Sequence, residues 1–317
     1  VVEKEIWNLS DLNKIGRDRD YPIDGNYTLM VDIDASDTIN WDNGKGFKPI
    51  ILLGNFDGNR HVIRNLYINR PDEDYVGLFS HVGGEVKQIG LENVQIVGES
   101  FVGGLVGYNG GTVSQSYSTG SVVGYNSVGG LVGENSGTIS ESYSTGSVSG
   151  NWYVGGLVGY NGGTVSESYS TGSVSGNWYV GGLVGGNGGT VSESYSTGSV
   201  SGNSYVGGLV GSNNWNSTVS QSYWDINTSG QSSSDGGEGK TTAQMKQQAT
   251  YVDWDFMNVW DMEENVTYPY LRALGQPVPP PEVVEKEIWS LTDLEKIGRD
   301  WEYPMDGHYT LMVDIDA

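Results

Sequence analysis

Apolar side chains along this chain come in short bursts separated by Gly, Asn, Ser and Thr, and one burst, Gly-Gly-Leu-Val-Gly, returns at a fixed interval. Its leucines are Leu105, Leu131, Leu157, Leu183 and Leu209, each 26 positions after the last; a diverged copy, Val76-Gly77-Leu78-Phe79, lies 27 positions earlier. Other positions keep the same step: the amides Asn109, Asn135, Asn161, Asn187 and Asn213, then Val113, Ile139, Val165 and Val191, then Tyr117, Tyr143, Tyr169 and Tyr195. Whole structural units are therefore repeating. Within one unit the runs Val154–Tyr160, Thr164–Tyr169 and Ser173–Ser175 are parted by Asn-Gly-Gly and Thr-Gly turns, which predicts three strands and three corners. Helix is disfavoured, because Gly and β-branched residues dominate and no 3.6-residue period survives. One such rung cannot bury its own apolar side; rungs stacked in parallel about 4.8 Å apart can. The fold class expected is all-β, a right-handed parallel β-helix (β-solenoid) with 26-residue rungs, the hand resting on general chirality. Stacked identical amides, which also tolerate the tight backbone of a corner, would bond rung to rung along the Asn109, Asn135, Asn161 and Asn187 column.

A second, longer period encloses the first. Residues 1–35 recur as 283–317, 282 positions later. The expected organisation is an N-terminal cap and lead-in strand over 1–48, the solenoid over 49–230, a C-terminal cap over 231–274, a Pro-rich linker over 275–282, and the start of the next tandem unit over 283–317. Solenoid ends expose unpaired edges and need covering. Ser10–Ile15 reads as a short helix at one end; Thr241–Gln248, Trp254, Phe256, Trp260 and Tyr268–Leu271 read as a helical and aromatic cover for the last rung. In that rung Leu209 and Val219 are separated by two residues more than their predecessors, so the loop 212–217 is expected to bulge outward.

At the rungs, as in Val-Gly-Gly-Leu-Val-Gly followed by Asn-Gly-Gly-Thr-Val-Ser-Glu-Ser-Tyr-Ser-Thr-Gly-Ser-Val, the sequence resembles the GLUG-motif repeats of large bacterial and archaeal surface proteins and adhesins. The resemblance extends over Trp7 to Leu271, taking in Phe56–Ile63 before the rungs and Ser222–Asp225 and Gly239–Met245 after them. It implies extracellular display and supports the right-handed fold; it does not specify an activity. Some such repeats accompany metallopeptidases, but no His-Glu-x-x-His is present.

Charge narrows the partners. Sixteen basic against thirty-nine acidic residues give a formal charge of −23, which opposes binding to nucleic acid or anionic lipid. No apolar run reaches the length of a spanning helix, so no membrane span is expected in this segment, which should be soluble. The start at Val1, without a signal-like stretch, suggests a mature or excised segment. With no Cys there are no disulfides, thiolate metal sites or cysteine nucleophiles.

Candidate chemistry is sparse. The histidines His61, His81 and His308 fall in no triad or metal spacing. Asp57, Asp72, Glu73, Asp74, Asp225 and Asp235 could in principle supply a glycosidase pair, yet in so acidic a chain most carboxylates are expected to be solvated. No catalysis is expected, and no cofactor beyond Ca²⁺, for which Asp32, Asp34, Asp37, Asp72 and Asp74 offer oxygens in short loops. Glu141, Glu167 and Glu193 form a column of like charge, expected at an outward corner. Tyr169 should then point outward as well, and Tyr153, Tyr179 and Tyr205, with Trp152 and Trp178, should form an exposed ring ladder for glycans or neighbouring fibres. Asn8, Asn26, Asn216, Asn227 and Asn265 each begin an Asn-x-Ser/Thr glycan acceptor pattern. The function expected is a structural unit of an extracellular fibre, stalk or adhesin, joined to adjacent copies of itself, with a calcium- or glycan-binding surface module as the alternative.

Overall fold

The computed structural model describes residues 1–275, together with the backbone of Glu285–Ile288 and His308–Leu311. The chain divides into two compact units, Val1–Gln276 and Pro277–Ala317. Apart from Gly275, the Pro-rich segment lies outside the described residues.

The first unit is a parallel β-solenoid of about nine turns. Each regular rung carries five short strands, as in Trp152–Gly155, Val158–Asn161, Thr164–Ser166, Tyr169–Ser170 and Val174–Ser175. The expected single strand Val154–Tyr160 is thus two, broken at Gly156-Leu157. Stacking these strands builds sheets of nine, thirteen, seven and five strands along the axis. The one-rung register holds without slippage through Val106, Val132, Val158, Val184 and Val210. Inside lie Leu157, Val158, Val165 and Val174 and their equivalents, buried except for the partly covered Val219 of the last rung, forming one continuous apolar column.

The glycines of the motif are a packing requirement. A Cβ on Gly155 would stand 2.0 Å from the Val158 carbonyl oxygen, and one on Gly156 would stand 2.2 Å from both the Gly182 carbonyl and the Ser170 hydroxyl. Two stretches of backbone therefore touch with no side chain between them. Two columns of polar groups drawn inside are satisfied by ladders. Each buried Asn donates its side-chain N–H to the Asn carbonyl of the next rung at 2.8 Å, from Asn109 through Asn135, Asn161 and Asn187 to Asn213. A second ladder runs through Ser116, Ser142, Ser168, Ser194 and Ser222. Each hydroxyl after the first accepts the backbone N–H of the preceding serine at 3.2 Å, and every one donates to the carbonyl two residues back at 2.7 Å. Corner amides that miss a strand partner are paired in this way.

Both ends are closed. At the start, Glu3–Ile6 pairs in parallel with Asn26–Leu29, and the helix Leu9–Lys14 turns Leu12 toward the core. Its N-cap is Asn8, whose side chain accepts from the Asp11 N–H, two residues before the expected Ser10 start. Arg70, 3% exposed, ties the early rungs together through Asp42, Glu73 and the carbonyls of Gly46 and Phe47. At the other end Gly236 and Gly237 lie against Val219 and Leu209, while the Ser234 hydroxyl accepts from the N–H groups of Leu209 and Val210.

The expected exposure of the tyrosine column needs correction. Tyr117, Tyr143, Tyr169 and Tyr195 do point away from the solenoid interior and stack at 4.8 to 5.0 Å, but Tyr143, Tyr169 and Tyr195 are buried. The aromatic segment expected to cover only the last rung runs back along the flank. Trp260 reaches Tyr169, Trp254 reaches Tyr195, and the Tyr195 hydroxyl donates to the Pro269 carbonyl. A ring row with one apolar side is thus covered by Met245, Tyr251, Trp254, Trp260 and Leu271 to make a second core. Asp225 anchors this cover, accepting from the hydroxyls of Thr242 and Tyr268 at 2.7 Å.

Three outcomes follow from this packing. Replacing Asn161 by Ala removes one link of the buried amide ladder and should cost about 2 kcal/mol, seen as a lowered urea midpoint; parent-like stability would remove the ladder from the account. Ala at Gly156 should destabilise far more than Ala at Gly162, where the nearest neighbour of a Cβ is 3.6 Å away, and equal thermal midpoints for the two variants would contradict the backbone-contact reading. Burial pushes the Tyr169 and Tyr195 hydroxyls well above their ordinary value of 10.0. A raised folded-state pKa retains protons that the unfolded chain releases, so stability should be intact below about pH 10 and fall as pH rises beyond it. Tyrosinate absorbance should appear together with loss of the β circular dichroism signal; ionisation of all tyrosines without unfolding would refute the buried column.

Candidate functional site

Of the outward-facing surface, one corner stands apart in chemistry. Tyr75, Phe101, Ser127, Tyr153, Tyr179 and Tyr205 occupy equivalent positions, and each has a left-handed backbone, with φ between 50° and 59°. For residues with a Cβ this costs roughly 1–2 kcal/mol apiece, a local strain that stacking offsets. Tyr75 stacks on Phe101 with centroids 4.7 Å apart; Tyr153, Tyr179 and Tyr205 follow at 4.7 and 4.8 Å. Ser127 interrupts the series. Beside it Trp152 and Trp178 stack at 5.3 Å, and Tyr160 meets the edge of Tyr153 at 5.5 Å. Because the rings lie face to face, the column shows edges along its length and an open ring face at its end, Tyr205, which is 58% exposed. Trp178 is 38% exposed, and Trp215, at the tip of the outward loop expected over 212–217, is fully so.

An amide row next to these rings went unnoticed in the sequence. Asn203 donates to Asn177 at 2.7 Å, and Asn177 donates to Asn151, one rung apart each time on the outside. The signal was present, since Asn151 and Asn177 directly precede Trp152 and Trp178, but the buried Asn column with the same period masks it.

The glutamate column takes the corner expected for it. Gln88, Gln115, Glu141, Glu167, Glu193 and Gln221 all have left-handed backbones. Gln88 donates to Gln115, and Gln115 to the Glu141 carboxylate at 3.1 Å, so the column begins in neutral amides. Partial burial first, then the neighbouring Glu141, Glu193 and Asp255 charges, push the Glu167 carboxyl above its ordinary value; burial, then Asp255 and Asp253, do the same for Glu193.

The remaining candidates are dispersed. Asp32 accepts from Arg64 at 2.9 Å, from the Val62 N–H, and pairs with His61 at 3.0 Å; the Arg64, Val62 and His61 bonds hold its carboxyl below the usual range despite some burial. Asp34 accepts from Asn65 and the Ser36 N–H, and Asp74 from the Ser100 N–H; Asp37 and Asp72 are exposed. Asp57 accepts from the Asn59 N–H, and Asp235 from the Asn213 N–H. Among the described residues no group of three or more His, Asp or Glu is arranged to hold a metal ion. His81 packs under the Tyr75 ring at 4.4 Å, and burial lowers its pKa. Of the acceptor-pattern asparagines, Asn8, Asn216, Asn227 and Asn265 are exposed; Asn8 caps a helix, half-buried Asn26 bonds Glu3 and Asn55, and the Asn227 side chain accepts from the Thr242 N–H. Among the described residues no helix is long and apolar enough to cross a membrane.

Comparison with known proteins agrees with this geometry. A 129-residue stretch, 38% of the chain, is 37% identical to Halomucin of Haloquadratum walsbyi, of whose length it spans 1%. The crystal structure of a candidate immunoglobulin A1 protease from Bacteroides ovatus superposes with a TM-score of 0.66, covering 86% of this chain and 92% of that one. At 22% identity the likeness is one of fold. Residues 99–123, 124–149, 150–175 and 176–201 each match the GLUG motif, so the regular rungs of this solenoid are four consecutive GLUG repeats.

Proposed function

We propose that this chain is a structural unit of an extracellular, tandemly repeated stalk or fibre, displayed on a microbial surface and without catalysis of its own. The observation that carries the reading is a repeated strand register. Glu285, Lys286, Glu287 and Ile288 pair in parallel with His308, Tyr309, Thr310 and Leu311, as Glu3, Lys4, Glu5 and Ile6 pair with Asn26, Tyr27, Thr28 and Leu29. The pairing that opens the first unit is thus made a second time after the Pro-rich segment, by the sequence copy that starts at Val283. The GLUG repeats and the likeness to Halomucin, itself a far longer protein, support a repetitive surface polypeptide.

A structural role also accounts for how polar groups are used. The amide and serine ladders, the tied carboxylates and the deeply placed tyrosines each stabilise a rung against its neighbour. Solenoid stability builds by such nearest-neighbour terms, which suits a long, stiff element. In this reading the exposed Trp178, Tyr205 and Trp215 are the contact face toward neighbouring fibres.

Immunogold electron microscopy of intact source cells, using antibody against this chain, tests the proposal. Surface filaments should be decorated at a regular axial repeat; nine strands stacked at about 4.8 Å make a solenoid body roughly 40 Å long in each unit. Labelling only after permeabilisation would overturn surface display, and labelled surfaces without filaments would overturn the fibre.

A further inference from the structure

We propose that a cleft on the outer face of the early rungs, apart from the aromatic corner, binds one neutral pyranose ring of a glycan. The irregular stretch between the first strands supplies it: the 3₁₀ turn Ser36–Asn40 stands over the strand Tyr67–Asn69 and the adjoining strand Gly90–Val97. Between them lies a half-open cavity of about 150 Å³ lined by Ser36, Ile39, Asn65, Tyr67, Asn93 and Gln95. A cavity near that size holds a ring of benzene dimensions, and the open side leaves room for the hydroxyls of a pyranose.

The lining decides the chemistry. None of the six side chains is ionisable near neutral pH, so neither an anion nor a cation finds a counter-charge among them. Tyr67 and Ile39 provide apolar surface for the C–H face of a sugar, and Tyr67 and Gln95 are paired neighbours on the outward side of the sheet. The walls are polar and preset. Asn93 donates to Asn65, and Asn65 to Asp34, so both amides are held in place. Asn93 and Gln95 are exposed and Tyr67 is half-buried, so their side chains present donors and acceptors to sugar hydroxyls. Ser121 and Ser147 continue the Gln95 row on the following rungs, so a longer oligosaccharide has further hydroxyls to meet as it leaves the cleft. The regular rungs carry no such insertion; the cleft sits where the repeat is broken.

The test is titration of the 317-residue chain with a panel of neutral mono- and tetrasaccharides, built from hexoses and N-acetylhexosamines, followed by isothermal calorimetry and NMR. At least one sugar should bind and tighten with chain length. Gln95→Ala should weaken it about tenfold, Tyr67→Leu at least as much, while Tyr205→Ala, at the aromatic corner, leaves it unchanged. Circular dichroism of each variant, matching the parent, separates lost binding from lost fold. The proposal is overturned if no sugar in the panel binds at 10 mM, on the order of the weakest useful affinities, or if binding survives both cleft substitutions. Binding abolished only by Tyr205→Ala would assign glycan recognition to the aromatic corner instead.

Discussion

Stacking like on like, rung upon rung at a spacing of about 4.8 Å, is the constraint from which the other features of this molecule descend. Parallel pairing with a constant one-rung offset places each residue directly above its own counterpart, so every side chain must be able to live beside a copy of itself. Valine and leucine do so by simple contact, asparagine by passing a hydrogen bond along the column, serine by accepting one from the rung before, and tyrosine by ring stacking. Glutamate alone repels its copy, and it is found at a turned-out corner, begun and ended by glutamine. Glycine answers a different demand, the contact of two backbones at Gly155 and Gly156.

Much of this was legible because a period exposes roles that a single copy hides. The recurrence of Leu105 through Leu209 and of the asparagines in step with them fixed the rung and its amide ladder, though not the burial of that ladder, and the cost of burying Glu167 turned Tyr169 away from the interior. Periodicity could not reveal what would lie against Tyr169. Its cover, Tyr251 to Leu271, is irregular and distant in sequence, and aromatic content alone does not say which surface a segment folds onto. The strand count failed for a local reason: Gly155-Gly156 within an apolar run looks like a continuous strand until the two backbones are seen to need the space.

The candidate sites divide in the same way. The ring column at Tyr153, Tyr179 and Tyr205 could be read from spacing, whereas the cleft at Tyr67 and Gln95 could not, since it arises where a non-repeating turn meets the sheet. Carboxylates that looked clustered along the chain, such as Asp32 and Asp34, take different partners. Proximity in sequence is a poor guide in a solenoid, where the nearest neighbours in space lie a full rung away.

The flank cover has a consequence for how such proteins can change length. Duplication or loss of a rung is nearly free in the middle of a stack, because every junction there is alike. The segment from Met245 to Leu271, however, grips a fixed span of tyrosines reaching back to Tyr143. Growth or shrinkage by whole rungs is therefore tolerated only upstream of that span, and the molecule behaves as a ruler with one clamped end: its final graduations are set by the clamp, and evolution is left to add or remove marks elsewhere.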